Sequence, residues 1–211
     1  MNKYKNILCL DLDDTLYRQS SFDNQIIDFA TNSLCKSDQR LIEHKQMLLL
    51  RLKSGREKNR SSRSLFHDIF SELDIPRSSA NQFIKLYKHY ALNGAVKIKP
   101  VPQAARFIAM HKSTFTTFLI TNGPYDQQAR KIDLLGISNL FDQVLILDGK
   151  NDRKTKPDPS YFLKTLDQLR IIPNLDVSVM IGDSCCDKLF ANSIGISYYH
   201  PVYDLCWSLD D

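Results

Sequence analysis

The chain has 211 residues, of which 43% are hydrophobic and 25% are charged. These proportions exclude a disordered chain and allow a sizeable core, either as one large domain or as a domain with an insertion. The net charge of +4 is too small by itself to indicate nucleic acid or a membrane surface as a partner. No apolar stretch approaches the roughly 20 residues that span a bilayer, and the N-terminus leads into a short predicted strand rather than a signal-peptide core. We therefore expect a cytoplasmic protein.

The five cysteines, an odd number without regular spacing, indicate reduced thiols rather than a disulfide framework. No Cys/His spacing resembles a zinc site. The adjacent Cys185 and Cys186 can be interpreted as small packing residues or as an oxidation-sensitive pair, since neighbouring cysteines rarely bond to each other without strain.

Short apolar runs rich in β-forming residues alternate with helical patterns along most of the chain. This alternation predicts an α/β fold with a parallel sheet and right-handed crossovers. Gly136 and Gly195 follow two of the helical patterns, as glycine caps do. The predicted strands cover residues 7–12, 117–121, 144–147, 177–181 and 196–200, and the predicted helices cover 103–112, 127–135, 160–169 and 187–194.

Residues 17–99 break this alternation, because they contain helical patterns and no convincing strand. Candidate helices cover residues 22–34, 38–53 and 64–73, and a capping box from Ser79 to Gln82 predicts the start of a fourth. Pro100 and Pro102 mark the return to the sheet. The chain is thus interpreted as an α/β core domain formed by residues 1–16 and 100–211, with an inserted all-helical domain at 17–99.

Basic residues dominate a segment inside the predicted insertion, where Gly55 and several serines interrupt any helical pattern. The segment can be a solvated loop or a basic lid that attracts an anionic, phosphorylated substrate. Its basic residues, set against Glu57 alone, are Arg51, Lys53, Arg56, Lys58, Arg60 and Arg63.

Residues suited to phosphate chemistry follow the ends of the predicted strands. Because ligands of open α/β sheets bind beyond the carboxyl ends of the strands, we expect these residues to meet at one edge of the sheet. Aspartate is one of the few side chains that act as a covalent nucleophile toward phosphorus, and a second aspartate nearby can transfer protons. In chain order the residues are Asp11 and Asp13, then Thr121, Asn122 and Gly123, then Lys156, then Gly182, Asp183 and Asp187.

These motifs, in this order, resemble those of the haloacid dehalogenase (HAD) superfamily of phosphohydrolases. The resemblance covers nearly the full chain and implies a Rossmann-like core with a helical C1-type cap at 17–99. Residues 13–17 are most similar to the pyrimidine 5′-nucleotidase-like and flavin mononucleotide (FMN) phosphatase-like members. The matching positions are Asp11-Leu12-Asp13-Asp14-Thr15 for the first motif, Thr121 for the second, Lys156 for the third, and Gly182-Asp183 with Asp187 for the fourth.

The resemblance implies a Mg²⁺-dependent phosphatase that forms an aspartyl-phosphate on Asp11. Asp13 would act as general acid and then as general base, which requires a carboxyl with its pKa shifted toward the working pH. Mg²⁺ would bind the side chains of Asp11 and Asp183 and the backbone carbonyl of Asp13. Asp187 would lie behind these ligands or bind the metal through water.

The same resemblance assigns phosphate binding to the second and third motifs. Lys156 would neutralise the phosphoryl oxygens and the Asp11 carboxylate. The Thr121 hydroxyl and the backbone amides of Asn122 and Gly123 would donate hydrogen bonds to the same oxygens. The expected partner is a small phosphorylated metabolite, such as a nucleoside monophosphate, FMN or a sugar phosphate, and not a membrane. The sequence leaves the oligomeric state open.

Other functions share this fold. A dehalogenase has no use for an acid/base at Asp13, so that residue favours phosphoryl transfer. A phosphomutase would keep both Asp11 and Asp13, and a non-catalytic binding protein would usually have lost one of them. A polynucleotide phosphatase that uses the basic segment is a further alternative, although nucleic acid is not the expected partner, and it predicts steeply salt-dependent binding.

Overall fold

A computed structural model describes residues 4–58 and 64–201 of the chain. Within these residues, six strands form one sheet in which every pair of neighbours is parallel. The strands are β1 (Tyr4–Leu10), β2 (Phe115–Asn122), β3 (Gln143–Leu147), β4 (Ile172–Pro173), β5 (Val179–Ile181) and β6 (Ser197–Tyr199). Their order is β3-β2-β1-β5-β6, with β4 paired to the start of β1. The predicted α/β class with a parallel sheet is confirmed.

Eight helices accompany the sheet in the described part of the chain. They are α1 (Gln19–Ser37), α2 (Lys45–Lys58), α3 (Leu65–Glu72), α4 (Arg77–Asn93), α5 (Pro102–His111), α6 (Tyr125–Leu135), α7 (Ser160–Gln168) and α8 (Cys185–Ile194). The chain divides into two compact units. One contains the described residues of Met1–Arg18 and Ile98–Asp211, and the other, Gln19–Lys97, contains α1 to α4.

β1 is the central strand of the sheet, with β2 on one side and β5 on the other. Its last four residues are fully buried, as expected for a parallel strand covered on both faces. The sequence analysis missed β4, because a strand of two residues, one of them proline, has no periodic pattern to detect.

The core of the α/β unit lies between the sheet and its helices. Phe162 of α7 packs edge-on against Phe118 of β2 and against Phe190 of α8, with ring centroids 5.2 and 5.5 Å apart. Gly136 and Gly195 end α6 and α8 with φ of 63° and 77°, so the predicted glycine caps are confirmed. This packing holds α7 and α8 on the sheet, and α8 carries residues of the site described below.

In the helical unit, two details of the sequence prediction are wrong. The predicted helix at 38–53 begins instead with a short 3₁₀ turn, Gln39–Leu41, and the α-helix that follows runs on to Lys58. The capping box predicted at Ser79 is not formed, because α4 begins at Arg77, after Pro76, and Ser79 is a buried residue within the helix. Proline before the first helical residue gives a stronger boundary than the Ser/Gln spacing. No helix in residues 4–58 or 64–201 is long and apolar enough to cross a membrane.

The basic segment is also different from the predicted loop. Arg51, Lys53, Arg56 and Lys58 belong to α2, while Arg60 and Arg63 lie outside the described residues. Two of the four pair with acidic residues of α1. Arg56 Nε lies 3.2 Å from Asp23 Oδ2, and Lys53 Nζ lies 2.7 Å from Asp28 Oδ1. Neutralising pairs with α1 explain how a sequence with Gly55 in its middle is held in a helix.

The Asp23–Arg56 pair predicts a test of what stabilises the helical unit. Asp23 is 3% exposed, and its second oxygen accepts a 2.6 Å hydrogen bond from the Tyr87 hydroxyl. Asp23→Ala leaves Arg56 without this partner in a largely buried position, so we expect the free energy of unfolding to fall by about 3 kcal/mol. Asp28→Ala, which breaks the more exposed pair with Lys53, is the matched control and should cost less than about 1 kcal/mol. Urea unfolding followed by circular dichroism measures both, and equal losses would contradict this interpretation.

Candidate active site

The polar residues predicted from the strand ends meet at the carboxyl edge of the sheet. Asp11 directly follows β1, and its backbone N–H donates to the Ile181 carbonyl at the end of β5, 2.9 Å away. Gly123, after β2, donates in the same way to Leu147 at the end of β3, 3.1 Å away. The parallel pairing thus brings the carboxyl ends of β1, β2, β3 and β5 together at one edge.

Lys156 links two of the predicted acidic residues. Its ammonium group lies 2.5 Å from Asp11 Oδ1, 2.5 Å from Asp187 Oδ1 and 2.7 Å from the Ile120 carbonyl. An ammonium group has three donors, so these three acceptors use all of them. Lys156 is 3% exposed. It therefore holds Asp11 and Asp187 together at a fixed distance.

Asn122 positions the backbone of Lys156. The Lys156 N–H donates to Asn122 Oδ1 at 2.8 Å, and Asn122 Nδ2 donates to the Lys156 carbonyl at 3.1 Å. The second motif therefore orients the third motif.

The backbone amide of Gly123 was expected to donate to phosphate, and that expectation is wrong. Its hydrogen is donated to the Leu147 carbonyl at the end of β3.

Asp187 is fully buried, and both of its oxygens have partners. Oδ1 accepts from Lys156, whereas Oδ2 accepts from the Ser184 backbone and hydroxyl and forms a capping box at the start of α8. Gly182 makes room for this carboxylate, because a Cβ there would lie 2.4 Å from Asp187 Cγ. Asp187 thus anchors Lys156 and caps α8.

The acidic residues fit a divalent cation. Asp11, Asp183 and Asp187 each offer an oxygen, and these atoms lie within 4.8 Å of one another. Carboxylate oxygens grouped in this way are the ligands that Mg²⁺ prefers.

The pKa of Asp11 is raised mainly by burial. Burial and the neighbouring Asp187 and Asp13 carboxylates together raise the pKa of Asp11 to about 7, although the Lys156 ammonium opposes the rise. A cation placed beside Asp11 would lower this pKa and favour the ionised, nucleophilic form.

Asp13 is held by three side chains, which we call the Asp13 clamp: Tyr17, Gln128 and Lys131. Tyr17 donates to Oδ1 at 2.5 Å, and Gln128 Nε2 donates to Oδ2 at 3.1 Å. Lys131 Nζ lies between the two oxygens, 2.7 Å from Oδ1 and 3.0 Å from Oδ2. The clamp fixes both oxygens of the second aspartate.

The clamp determines the charge of Asp13. Burial raises the pKa of Asp13, but the Lys131 charge and the hydrogen bonds from Lys131, Tyr17 and Gln128 outweigh burial and hold the pKa below its usual range. The pKa shift toward the working pH that the resemblance implies is therefore wrong in direction, because the buried Lys131 lies beside Asp13. Asp13 is therefore present in its proton-accepting form.

Thr121 lies next to the clamp. Gln128 Nε2 donates to Thr121 Oγ1 at 2.6 Å, so the hydroxyl accepts this bond and keeps its own proton for another acceptor. Thr121 is 1% exposed, which leaves little room for the hydroxyl to rotate. A phosphoryl oxygen is the kind of acceptor that this proton could serve.

The sequence analysis missed the three clamp residues. A signal for two of them exists, since Gln128 and Lys131 occupy the buried stripe of α6 together with Ile132 and Leu135. Polar residues in an otherwise apolar stripe need buried partners.

The adjacent cysteines are not buried in the core. Cys185 is exposed and Cys186 half-buried at the start of α8, so neither is a core packing residue.

A curated protein is similar to part of this chain. Phosphoglycolate phosphatase of Aquifex aeolicus (strain VF5) is 30% identical over 108 residues, which are 50% of this chain and 49% of that protein. The chain thus matches about half the length of this curated relative.

Solved structures share the fold at low sequence identity. A HAD-superfamily hydrolase of subfamily IA from Geobacter sulfurreducens PCA superposes with a TM-score of 0.65 at 14% identity, over 92% of this chain and 85% of that one. A haloacid dehalogenase-like family hydrolase from Xanthomonas campestris gives a TM-score of 0.61 at 17% identity, over 99% and 88%.

A family model described as haloacid dehalogenase-like hydrolase matches residues 5–195. This match includes every residue of the site described above. The chain therefore belongs to the haloacid dehalogenase-like hydrolase family.

Proposed function

We propose that this protein is a phosphatase that hydrolyses a small phosphorylated metabolite through an aspartyl-phosphate on Asp11. One observation carries the proposal: two aspartates, two residues apart at the edge of the sheet, are each paired with a different buried lysine. Asp11 pairs with Lys156 and Asp13 with Lys131. Separate partners allow the two carboxylates to play separate roles, one as nucleophile and one as acid/base.

In the first displacement, an oxygen of Asp11 attacks phosphorus and the bond from phosphorus to the ester oxygen breaks. Asp13 gives a proton to that leaving oxygen. The negative charge of an incoming phosphate would raise the pKa of Asp13 and let the carboxylate take up this proton beforehand. In the second displacement Asp13, again ionised, accepts a proton from water as the water oxygen attacks phosphorus. The phosphorus–Asp11 bond breaks and inorganic phosphate leaves.

The phosphoryl oxygens would meet the Thr121 hydroxyl, the Asn122 amide and the charge of Lys156. Since all three Lys156 donors already have acceptors, its contribution is mainly electrostatic. Mg²⁺ bound by the side chains of Asp11 and Asp183 and the backbone carbonyl of Asp13 would neutralise further charge on the phosphoryl group. Asp187 would hold Lys156 rather than act as a direct ligand.

We propose that the helical insertion, residues 17–99 by the sequence analysis, is the cap that selects the substrate. Nucleoside monophosphates, FMN and sugar phosphates stay candidates from the sequence, and the relative from Aquifex aeolicus adds phosphoglycolate. Arg56 is already paired with Asp23, and Lys53 with Asp28. These two cations are therefore less available to a polyanionic substrate. Small monophosphates are therefore favoured over polynucleotides. We propose the cytoplasm as the compartment of the protein.

Phosphate release from a panel of these monophosphates, with and without Mg²⁺, tests the proposal. We expect release that requires Mg²⁺ and that falls by more than about 10³-fold in Asp11→Asn, because the amide is nearly isosteric but is not a nucleophile. Chelation with EDTA should abolish release, and added Mg²⁺ should restore it.

The control is the unfolding temperature of Asp11→Asn, which should stay near or above that of the wild type because the change removes a buried charge from an acidic cluster. Normal turnover in this variant would exclude Asp11 as the nucleophile. An isomerised sugar phosphate in place of free phosphate would identify a phosphomutase, and no release from any substrate by folded protein would contradict the proposal.

Gly182→Ala tests whether Asp187 must hold Lys156. The added Cβ would meet Asp187 Cγ at 2.4 Å, so the carboxylate and the Lys156 ammonium must move. A displacement of about 1 Å at a catalytic group can cost on the order of 10²-fold in rate, and we expect a loss of that size in kcat for the best panel substrate. The matched control is Gly55→Ala in α2, where the new Cβ meets the flexible ends of two side chains, Ile69 at 2.9 Å and Leu65 at 3.2 Å. Equal kcat values in the two variants would show that the Asp187–Lys156 contact is dispensable.

A further inference from the structure

Helix α6 contributes two buried polar residues, Gln128 and Lys131, to which the phosphatase mechanism above gives no step of their own, although Lys131 is the partner of Asp13. Gln128 is 1% exposed and Lys131 is 2% exposed. Resting on the proposed function, we propose that Lys131 and Gln128, with Tyr17, are positioning residues that aim one oxygen of Asp13, Oδ2, at the reacting proton. They act through Asp13 and Thr121 and do not themselves touch the substrate.

Stability alone gives little reason for a lysine at position 131. The buried stripe of α6 is otherwise completed by Ile132 and Leu135. A buried ion pair generally adds little net stability compared with well-packed apolar side chains of similar volume, because both charges lose water. A cation at this place has a specific effect, because its contacts with both oxygens, 2.7 and 3.0 Å long, fix the orientation of the Asp13 carboxylate.

The contacts distinguish the two oxygens of Asp13. Oδ1 accepts the shorter bonds, 2.5 Å from Tyr17 and 2.7 Å from Lys131. Oδ2 accepts the longer ones, 3.0 Å from Lys131 and 3.1 Å from Gln128. A carboxylate has about four lone-pair sites, and these contacts occupy four. The proton must therefore enter where the contacts are weakest, at Oδ2, while Oδ1 stays anchored.

Gln128 connects this oxygen to the phosphate-binding hydroxyl. Its side-chain nitrogen has two hydrogens, of which one binds Asp13 Oδ2 at 3.1 Å and the other binds Thr121 Oγ1 at 2.6 Å. One planar amide thus sets the separation between the acid/base and a donor to the phosphoryl group. The clamp would keep Oδ2 in line with the ester oxygen while Thr121 holds the phosphoryl oxygen.

A role in proton delivery predicts a dependence on the leaving group. An alkoxide leaving group needs a proton, whereas 4-nitrophenolate leaves readily without one. We expect Lys131→Met to lower kcat/KM by about 10²-fold for the alkyl phosphate that the wild type hydrolyses best, and by less than about tenfold for 4-nitrophenyl phosphate. A merely structural role would lower both values by the same factor.

Two further variants sharpen the experiment. Tyr17→Phe removes a single hydroxyl from Oδ1 and should shift the ratio of the two kcat/KM values in the same direction, which keeps the test valid if Lys131→Met does not fold. In an Asp13→Asn background, Lys131→Met should change the rate for 4-nitrophenyl phosphate by less than about threefold, because the carboxylate that Lys131 positions is already absent.

The control is Lys164→Met, which breaks an exposed lysine–aspartate pair with Asp152 and should leave both kcat/KM values within about twofold of the wild type.

The activity of the wild type distinguishes failure of this inference from failure of the proposed function. If it hydrolyses both substrates in an Asp11-dependent manner and the clamp variants lose activity equally on both or not at all, this inference is overturned and the proposed function stands. If folded wild type hydrolyses neither substrate, the proposed function fails and the positioning role fails with it.

Discussion

The site depends on two lysines buried among carboxylates. Asp11 and Asp13 lie two residues apart at one edge of a sheet, and Asp183 and Asp187 add further negative charge. Without buried cations this concentration of charge would drive protons onto the carboxylates. Lys156 and Lys131 divide the cluster into two pairs with different chemistry. The pKa of Asp11 is raised to about 7, while that of Asp13 is lowered. The two carboxylates thus lie in different electrostatic surroundings, and the proposed mechanism needs a bound cation to ionise Asp11 and an incoming phosphate to protonate Asp13.

The fold supplies the positions of these cations. Lys131 projects from α6, which begins just after β2, and Lys156 is held through Asn122, the last residue of β2. Asp187 both anchors Lys156 and completes the capping box with Ser184 at the start of α8, and Gly182 gives it the necessary space. A change at any of these supporting residues is thus transmitted to Asp11 or Asp13 through one or two hydrogen bonds.

Much of this arrangement could be predicted from the sequence. Strand ends are marked by apolar runs followed by polar residues, so the meeting of Asp11, Lys156, Asp183 and Asp187 at one edge follows from the parallel topology. The contacts of Asp13 could not be predicted, because Gln128 and Lys131 lie 115 and 118 positions away and reach it only after the sheet has formed. The Gly123 amide was misassigned for the same reason, since its acceptor belongs to β3. The helical conformation of the basic segment could not be predicted either, because the local propensity of Gly55 does not reflect the long-range ion pairs of Lys53 and Arg56 with α1.

The most direct test of the account is to detect the covalent intermediate. The enzyme is mixed with its best substrate, quenched in acid within milliseconds, digested, and analysed by mass spectrometry for a phosphoryl group on the peptide that contains Asp11. The account predicts an acid-stable, hydroxylamine-labile phosphoryl group on Asp11 that is absent from Asp11→Asn and that accumulates when Asp13→Asn slows the second displacement. A phosphoryl group on another residue, or turnover with none on Asp11 in either the wild type or Asp13→Asn, would contradict it.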